Sequence, residues 1–185
     1  AIPHHIGLGV REICDSLNAF VRDIRISARS ADFLKRLRSH RYAIEKNKRS
    51  LECYIDNLFE QHSRILVIRV DLGYGKDVSL EPSKNAHTTS EDARRHRDRL
   101  LKNIPSNSLF SGLVGYIWKL EYGLEKGYHY HWLFFFDGRT RFRDAWLGQK
   151  IGEYWQKIVG ETAVYWNCNA NKNSYRRLGI GMISR

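Results

Sequence analysis

The chain has 185 residues, enough for one domain with a sizeable core. Hydrophobic residues make up 42% and aromatic residues 12%, a composition that excludes an intrinsically disordered chain. Lys and Arg number 31 against 20 Asp and Glu, a net charge of +11 that points to a polyanionic partner, nucleic acid above all.

Three cysteines, Cys14, Cys53 and Cys168, are scattered and form no CxxC pair, which excludes a zinc ribbon or finger. An odd, dispersed set suits buried thiols in a reducing cytosol, so a cytoplasmic location is expected. No apolar run reaches the roughly 18 residues of a membrane span, and the N-terminus lacks a secretory pattern. The sequence opens at Ala1 without Met and stops at Ser184-Arg185, as a fragment of a longer protein does.

In chain order, residues 1–60 read as a helical extension and 61–185 as the main domain. Ile13, Leu17, Phe20, Val21 and Ile24 recur at helical spacing. Ser30 is placed to cap a short helix holding Phe33, Leu34 and Leu37. Leu51, Ile55, Leu58 and Phe59 mark another, and the Lys/Arg-dense stretch between is either a DNA-facing arm or a solvated basic face. From Arg64 the period changes to two: Leu66, Ile68, Val70 and Leu72 alternate with Arg69 and Asp71. A polar loop with Gly73, Gly75 and Pro82 follows. Ser90 then caps a helix with Glu91 and Asp92 in its first turn, where the helix dipole favours acids.

Residues 114–122 and 128–136 read as two strands joined by Gly123-Leu124-Glu125-Lys126-Gly127, a hairpin. Leu147, Ile151, Tyr154, Trp155 and Ile158 make an amphipathic helix stopped by Gly160. Residues 163–166 and 178–183 read as two further strands. The order is α+β: a central antiparallel sheet of about five strands with helices packed on it.

The chemistry concentrates at the hairpin. Side chains alternate along a strand, so His129 and His131 share a face that Tyr130 does not. Closing the hairpin about Glu125 sets Glu121 opposite His129 and Lys119 opposite His131, and opposed residues share a face with Cβ atoms about 5 Å apart. One carboxylate and two imidazoles thus converge. Such a set suits a divalent ion, Mn²⁺ or Mg²⁺, with coordination positions left open. A plain Glu–His salt bridge beside an unrelated second His fits the spacing too. Asp71 is placed as a further ligand or as a group that holds a histidine, unless it merely pairs with Arg69.

Arg94, Arg95, Arg97, Arg99 and Lys102 on the capped helix, with Arg69, are the candidate DNA contacts. A solvated helix face diluted by Glu91, Asp92 and Asp98 explains the row as well. Lys119 is a second candidate for phosphate. The five tryptophans, 118, 132, 146, 155 and 166, divide between core and base stacking, with at least three expected in the core.

Two blocks, Trp118-Lys119-Leu120-Glu121-Tyr122-Gly123 and Lys126-Gly127-Tyr128-His129-Tyr130-His131-Trp132, resemble the second motif of HUH replication-initiator endonucleases, named for paired histidines around one residue. The chain from Ile65 to Ile183 more closely resembles the inovirus-type replication proteins of the YagK/YfjJ group. The blocks are Ile68-Arg69-Val70-Asp71-Leu72, Phe135-Phe136-Asp137-Gly138, Ile151-Gly152-Glu153-Tyr154-Trp155, Asn167-Cys168-Asn169-Ala170 and Gly179-Ile180-Gly181-Met182-Ile183. The first 60 residues lie outside this resemblance.

The resemblance implies a nuclease fold of the HUH type, origin or single-stranded DNA as partner, and host helicase and replication proteins nearby. It implies that Glu121, His129 and His131 hold the metal and that a tyrosine hydroxyl attacks the scissile phosphate to start rolling-circle replication. The family's YxxK pattern does not follow His131. Tyr175, 44 residues on, is the candidate within the chain, Tyr154 and Tyr165 are rivals, and the prophage group implies a nucleophile beyond Arg185. A non-catalytic DNA-binding module on the same fold is the alternative function. A primase-like polymerase is a third, which normally needs paired acids where Asp71 stands alone on its strand.

Overall fold

The computed structural model describes residues 6–75 and 88–184, and for residues 6–8 the backbone alone. The polar loop with Pro82 lies outside the described residues. Two compact units are present, Ala1–Ile55 and Asp56–Arg185.

The first unit is helical. Helix α1 runs Ile6–Arg29 and α2 runs Ala31–Gln61, continuing into the second unit. Ser30 caps α2 as its sequence suggests, its hydroxyl accepting from Phe33 N at 3.2 Å. The two separate helices expected after Ser30 are one. Between Ala31 and Gln61 there is no Gly or Pro to stop a helix, and the intervening Lys, Arg and Glu are good helix formers. Of the cysteines expected to be buried, Cys14 and Cys53 lie exposed on these helices, and Cys168 alone is buried.

The second unit is an α+β domain built on one antiparallel sheet of five strands. They are β1 (Arg64–Tyr74), β2 (Leu113–Gly123), β3 (Gly127–Asp137), β4 (Ala163–Asn167) and β5 (Gly181–Ser184). The path is β2-β3-β1-β4, and β5 also pairs with β1. β1 is longer than expected and takes in Gly73, which pairs with Val164 and His129. β5 is shorter, since Leu178 to Ile180 stay outside the ladder.

Helices α3 (Ser90–Asn103) and α4 (Asp144–Val159) cover one face. The α3 cap is Thr89 rather than Ser90, in a reciprocal capping box with Asp92. The core between helices and sheet holds Leu66, Ile68, Val70 and Leu72 of β1, Tyr130, Trp132 and Phe134 of β3, and Leu147, Ile151 and Trp155 of α4, each at most 2% exposed. The Tyr130 hydroxyl donates to Ala93 O of α3 at 3.0 Å, and Trp155 Nε1 donates to Gly73 O at 3.1 Å. These bonds satisfy the polar tips of two large buried rings and fix each helix to the sheet. Gly152 lets α4 sit close on β4, because a Cβ there would stand 2.1 Å from the Tyr165 ring.

The other face carries Ile65, Val67, Arg69, Asp71 and Gly73 of β1 beside Phe135, Leu133, His131 and His129 of β3. One end of this face is closed, with Ile65, Val67 and Phe135 at most 3% exposed. The other end is open and polar.

Candidate metal centre

The hairpin of β2 and β3 closes about Glu125 as expected, but through a three-residue link, since Gly123 pairs with Gly127: Glu121 pairs with His129, Lys119 with His131 and Tyr122 with Tyr128. Glu121, His129 and His131 offer ligand atoms that all lie within 4.8 Å of one another. Glu121 Oε2 stands 3.2 Å from His131 Nε2 and 3.6 Å from His129 Nε2. Ligands held roughly 2.0–2.2 Å from a shared ion lie about 3 Å apart, so these separations fit one divalent cation with little adjustment.

The backbone and neighbouring side chains set the chemical state of each group. His129 Nδ1 lies 3.2 Å from Gly127 O, a bond that puts the proton on Nδ1 and leaves the Nε2 lone pair toward Glu121. His131 Nδ1 lies 2.8 Å from Asp71 Oδ1, yet the approach is too oblique for an aligned hydrogen bond. It is a close electrostatic contact at the nitrogen remote from Glu121. Asp71 in turn receives Arg69, Nε to Oδ1 and Nη2 to Oδ2, both at 3.3 Å. Lys119 bonds Glu121 Oε1, leaving Oε2 to the imidazoles. The Lys119 ammonium first, and His131 second, hold the Glu121 carboxyl at about 2, so it is ionised at neutral pH as a cation requires.

The donor set fits a borderline ion such as Mn²⁺ better than Mg²⁺, which rarely takes two imidazoles. The side chains of Glu121, His131 and His129 are 38%, 29% and 18% exposed, so solvent reaches all three candidate ligands. Gly73 faces His129 without a side chain and leaves room beside that imidazole.

Two hollows flank His131. One, about 570 Å³, is lined by Asp71, Gly73, His129, His131, Trp166 and Tyr175. The other, about 330 Å³, includes Arg69, Lys119, His131, Cys168, Tyr175 and Arg177. Tyr175 walls both. Its hydroxyl accepts from Trp166 Nε1 at 3.2 Å, and its ring lies 5.9 Å below the Arg69 guanidinium. A bond with the Cys168 thiol, and then burial, push the Tyr175 phenol above its ordinary range.

The structure separates the other candidates. Tyr154 packs against the core from α4, and Tyr165 does so from β4. Both rings lie on the helical side of the sheet, although Tyr165 also borders the larger hollow. The α3 row also lies on that side. Arg94 pairs with Glu91 at 3.0 Å and Arg95 with Asp92 at 2.7 Å. Arg97 stacks 4.8 Å above the Trp118 ring and bonds Asp98, while Arg99 reaches Ile158 O at 3.4 Å. Lys102 is exposed. Of the six DNA-contact candidates, only Arg69 therefore stands beside the metal ligands. Among the tryptophans, 118, 132 and 155 pack in the core, and 146 and 166 are about half exposed.

The sequence marks Asn167 and Asn169 only as part of a resemblance block, with no role; in the structure they brace the strands behind the site. Asn169 is 3% exposed; its Oδ1 accepts from Arg69 N at 2.8 Å, and its Nδ2 donates to Val67 O at 2.9 Å. The side chain thus replaces a strand partner in the gap between β4 and β5. The motif Asn167-Cys168-Asn169 was visible in the sequence, but nothing local reveals a bond to residues 100 positions away.

With this geometry established, the class is an α+β domain whose sheet face carries a two-histidine, one-carboxylate centre. The chain belongs to the YagK/YfjJ C-terminal domain family, whose model matches residues 27–184. The match takes in all of α2, so the family region begins well before Ile65, where the sequence blocks begin. No curated protein and no solved structure matches the chain. Among the described residues, no helix is long and apolar enough to cross a membrane.

Proposed function

We propose that this domain binds single-stranded or hairpin origin DNA together with a divalent cation and nicks one strand, as an HUH-type initiator of phage or mobile-element replication. The observation that carries this reading is the convergence of Glu121 Oε2 with His129 Nε2 and His131 Nε2 on an open sheet face of a chain with net charge +11. A bound ion would supply Lewis-acid polarisation of the scissile phosphate. The residues around it have complementary tasks. Asp71 orients His131, Gly127 O fixes the His129 tautomer, and Arg69 and Lys119 add positive charge beside the smaller hollow. Trp166, 51% exposed next to the ligands, offers a ring on which a base stacks.

The nucleophile within the chain is assigned to Tyr175, which lines both hollows with His131. Its phenol oxygen forms a bond to phosphorus as the bond from phosphorus to one strand-end oxygen breaks. The phenol loses its proton and the departing oxygen gains one, so no redox partner is needed. HUH initiators often carry this tyrosine in a YxxK pattern, whereas Tyr175 continues Arg176-Arg177-Leu178. The second reading is a non-catalytic binding module. It is favoured by the engagement of the Tyr175 hydroxyl with Trp166 and Cys168.

Labelled hairpin-bearing single-stranded DNA with Mn²⁺ on denaturing gels tests both. A cut strand carrying covalent protein, lost in His129→Ala, His131→Ala and Tyr175→Phe, is the expected result. Cutting that survives Tyr175→Phe would remove that tyrosine from the reaction. Metal-dependent binding without cutting removes Tyr175 as the nucleophile, and binding indifferent to metal and to both histidines rejects the metal centre and favours the binding module.

A further inference from the structure

Helix α1 presents an apolar row with a period of 3.5 residues. Val10, Ile13, Leu17, Phe20 and Ile24 follow one another at steps of three, four, three and four. That spacing keeps a stripe facing a partner helix in a supercoil, and Cys14 and Val21 widen it on one side. All five side chains are exposed, between 50% and 63%. Among the described residues of α1, only Ala19 is even half-buried.

The row cannot be covered by the chain's own α2. One residue, Ser30, separates the two helices. Backbone bonds from Ser30 N to Ser27 O and from Leu34 N to Ser30 O carry across that joint. An antiparallel helix pair needs a connection of about two to five residues, so α2 runs on instead of folding back.

Charge selects the partner. Taking Val10 as the first heptad position, the flanking positions Cys14, Ser16, Val21 and Ala28 are uncharged, and Asp23 is the charged one among them. Arg11, Glu12, Asp15, Arg22, Arg25 and Arg29 point away from the seam. With Asp23 included, α1 carries four Arg against three acids, a near balance that lets two copies approach without repulsion. The first part of α2 is strongly basic, with Lys35, Arg36, Arg38, Arg41, Lys46, Lys48 and Arg49, and would repel its own copy. A membrane-surface helix would instead concentrate Lys and Arg without alternating acids.

We propose that α1 is the seam of a homodimeric coiled coil, formed with α1 of a second copy of this chain. The row from Val10 to Ile24 covers about two heptads, with Ser27 at the next seam position, so the coil is a short one. The inference is independent of the metal centre and of any nuclease activity.

The test is the solution mass of the whole chain at tens of micromolar, by light scattering behind size exclusion. The monomer mass is 21.7 kDa, and the expected mass is twice that. Leu17→Glu, on the seam, is expected to return the mass to that of one chain. Ile26→Glu, equally charged but at a position 69% exposed off the seam, is expected to leave the dimer intact. A monomeric wild-type chain overturns the proposal, as does a dimer that survives Leu17→Glu. A monomer that instead cosediments with phosphatidylglycerol vesicles, and loses that binding in Leu17→Glu, overturns it in favour of a membrane-facing helix.

Discussion

Asp71 Oδ1 stands 2.8 Å from His131 Nδ1, on the side of the imidazole remote from Glu121. The pairing is across strands, since Asp71 of β1 is the register partner of His131 of β3. A carboxylate at the outer nitrogen of a ligating histidine aims the ring and raises the basicity of its inner nitrogen. Asp71→Asn keeps size and removes the charge. It is expected to weaken Mn²⁺ binding by about 10–100-fold, the range for such outer partners. Calorimetric titration reads the change, and an unaltered affinity would deny Asp71 that role.

Asn169 closes the gap in the β1 edge by bonding Arg69 N and Val67 O. Asn169→Ala leaves a buried donor and a buried acceptor unpaired. The expected loss is about 2–4 kcal/mol of stability, from roughly 1–3 kcal/mol per abandoned group with overlap between them. Urea unfolding measures it, and a loss under about 0.5 kcal/mol, the range of neutral surface changes, would mean that water replaces both bonds.

Gly152 and Tyr165 share one volume. A Cβ at residue 152 would fall 2.1 Å from the Tyr165 ring, so Gly152→Ala must push α4 off β4 or displace the ring. Overpacking of this kind costs about 1–3 kcal/mol or more. Tyr165→Ala should cost stability by itself but remove most of the Gly152→Ala penalty, giving a double-mutant coupling above about 1 kcal/mol. Additive effects would contradict the shared packing.

Asp144 at the start of α4 meets opposing influences. Burial raises its carboxyl, but the bonds from Lys172, Asn169 Nδ2 at 3.1 Å and Ala145 N at 2.9 Å outweigh it, so the group is held below the ordinary range. A depressed folded value means a stabilising contribution present above the unfolded value of about 3.9 and lost as pH falls through the folded one. Asp144→Asn is therefore expected to lower stability at neutral pH and to flatten its decline below about pH 4. Thermal melts across that range test this, and parallel curves for the two proteins would exclude Asp144 as a contributor.

Trp166 is half exposed beside the ligands and anchored to Tyr175. On the proposed function, Trp166→Ala should weaken single-strand binding by about 1–3 kcal/mol, roughly 5- to 150-fold, without changing metal affinity. Equal loss of both would show damage to the site, and loss of neither would remove Trp166 from the DNA surface.

Much of this molecule is dictated by local sequence. The period-two run from Leu66 to Leu72, the glycine-bounded link at Gly123–Gly127 and the stop at Gly160 each depend on steric rules acting over a few residues. Even the pairing of Glu121 with His129 follows locally, because a symmetric link centred on Glu125 sets the register and alternation then fixes the face. The same reasoning misplaced a cap by one residue and divided α2, since the breaks it supposed in that helix have no breaker residue behind them.

What lay beyond it depends on contacts between distant segments. That Asp71 reaches His131, that Asn169 completes the edge of β1, and that the Tyr175 side chain lines both hollows beside His131 are consequences of strand order, which the sequence does not contain in any local form. The arginines of α3 teach the same lesson. Their row was plain in the sequence, but their side of the sheet was settled by Ala93 and Leu100 packing on Tyr130 and its neighbours. Burial of apolar area chooses the face, and the charges follow wherever the core places them.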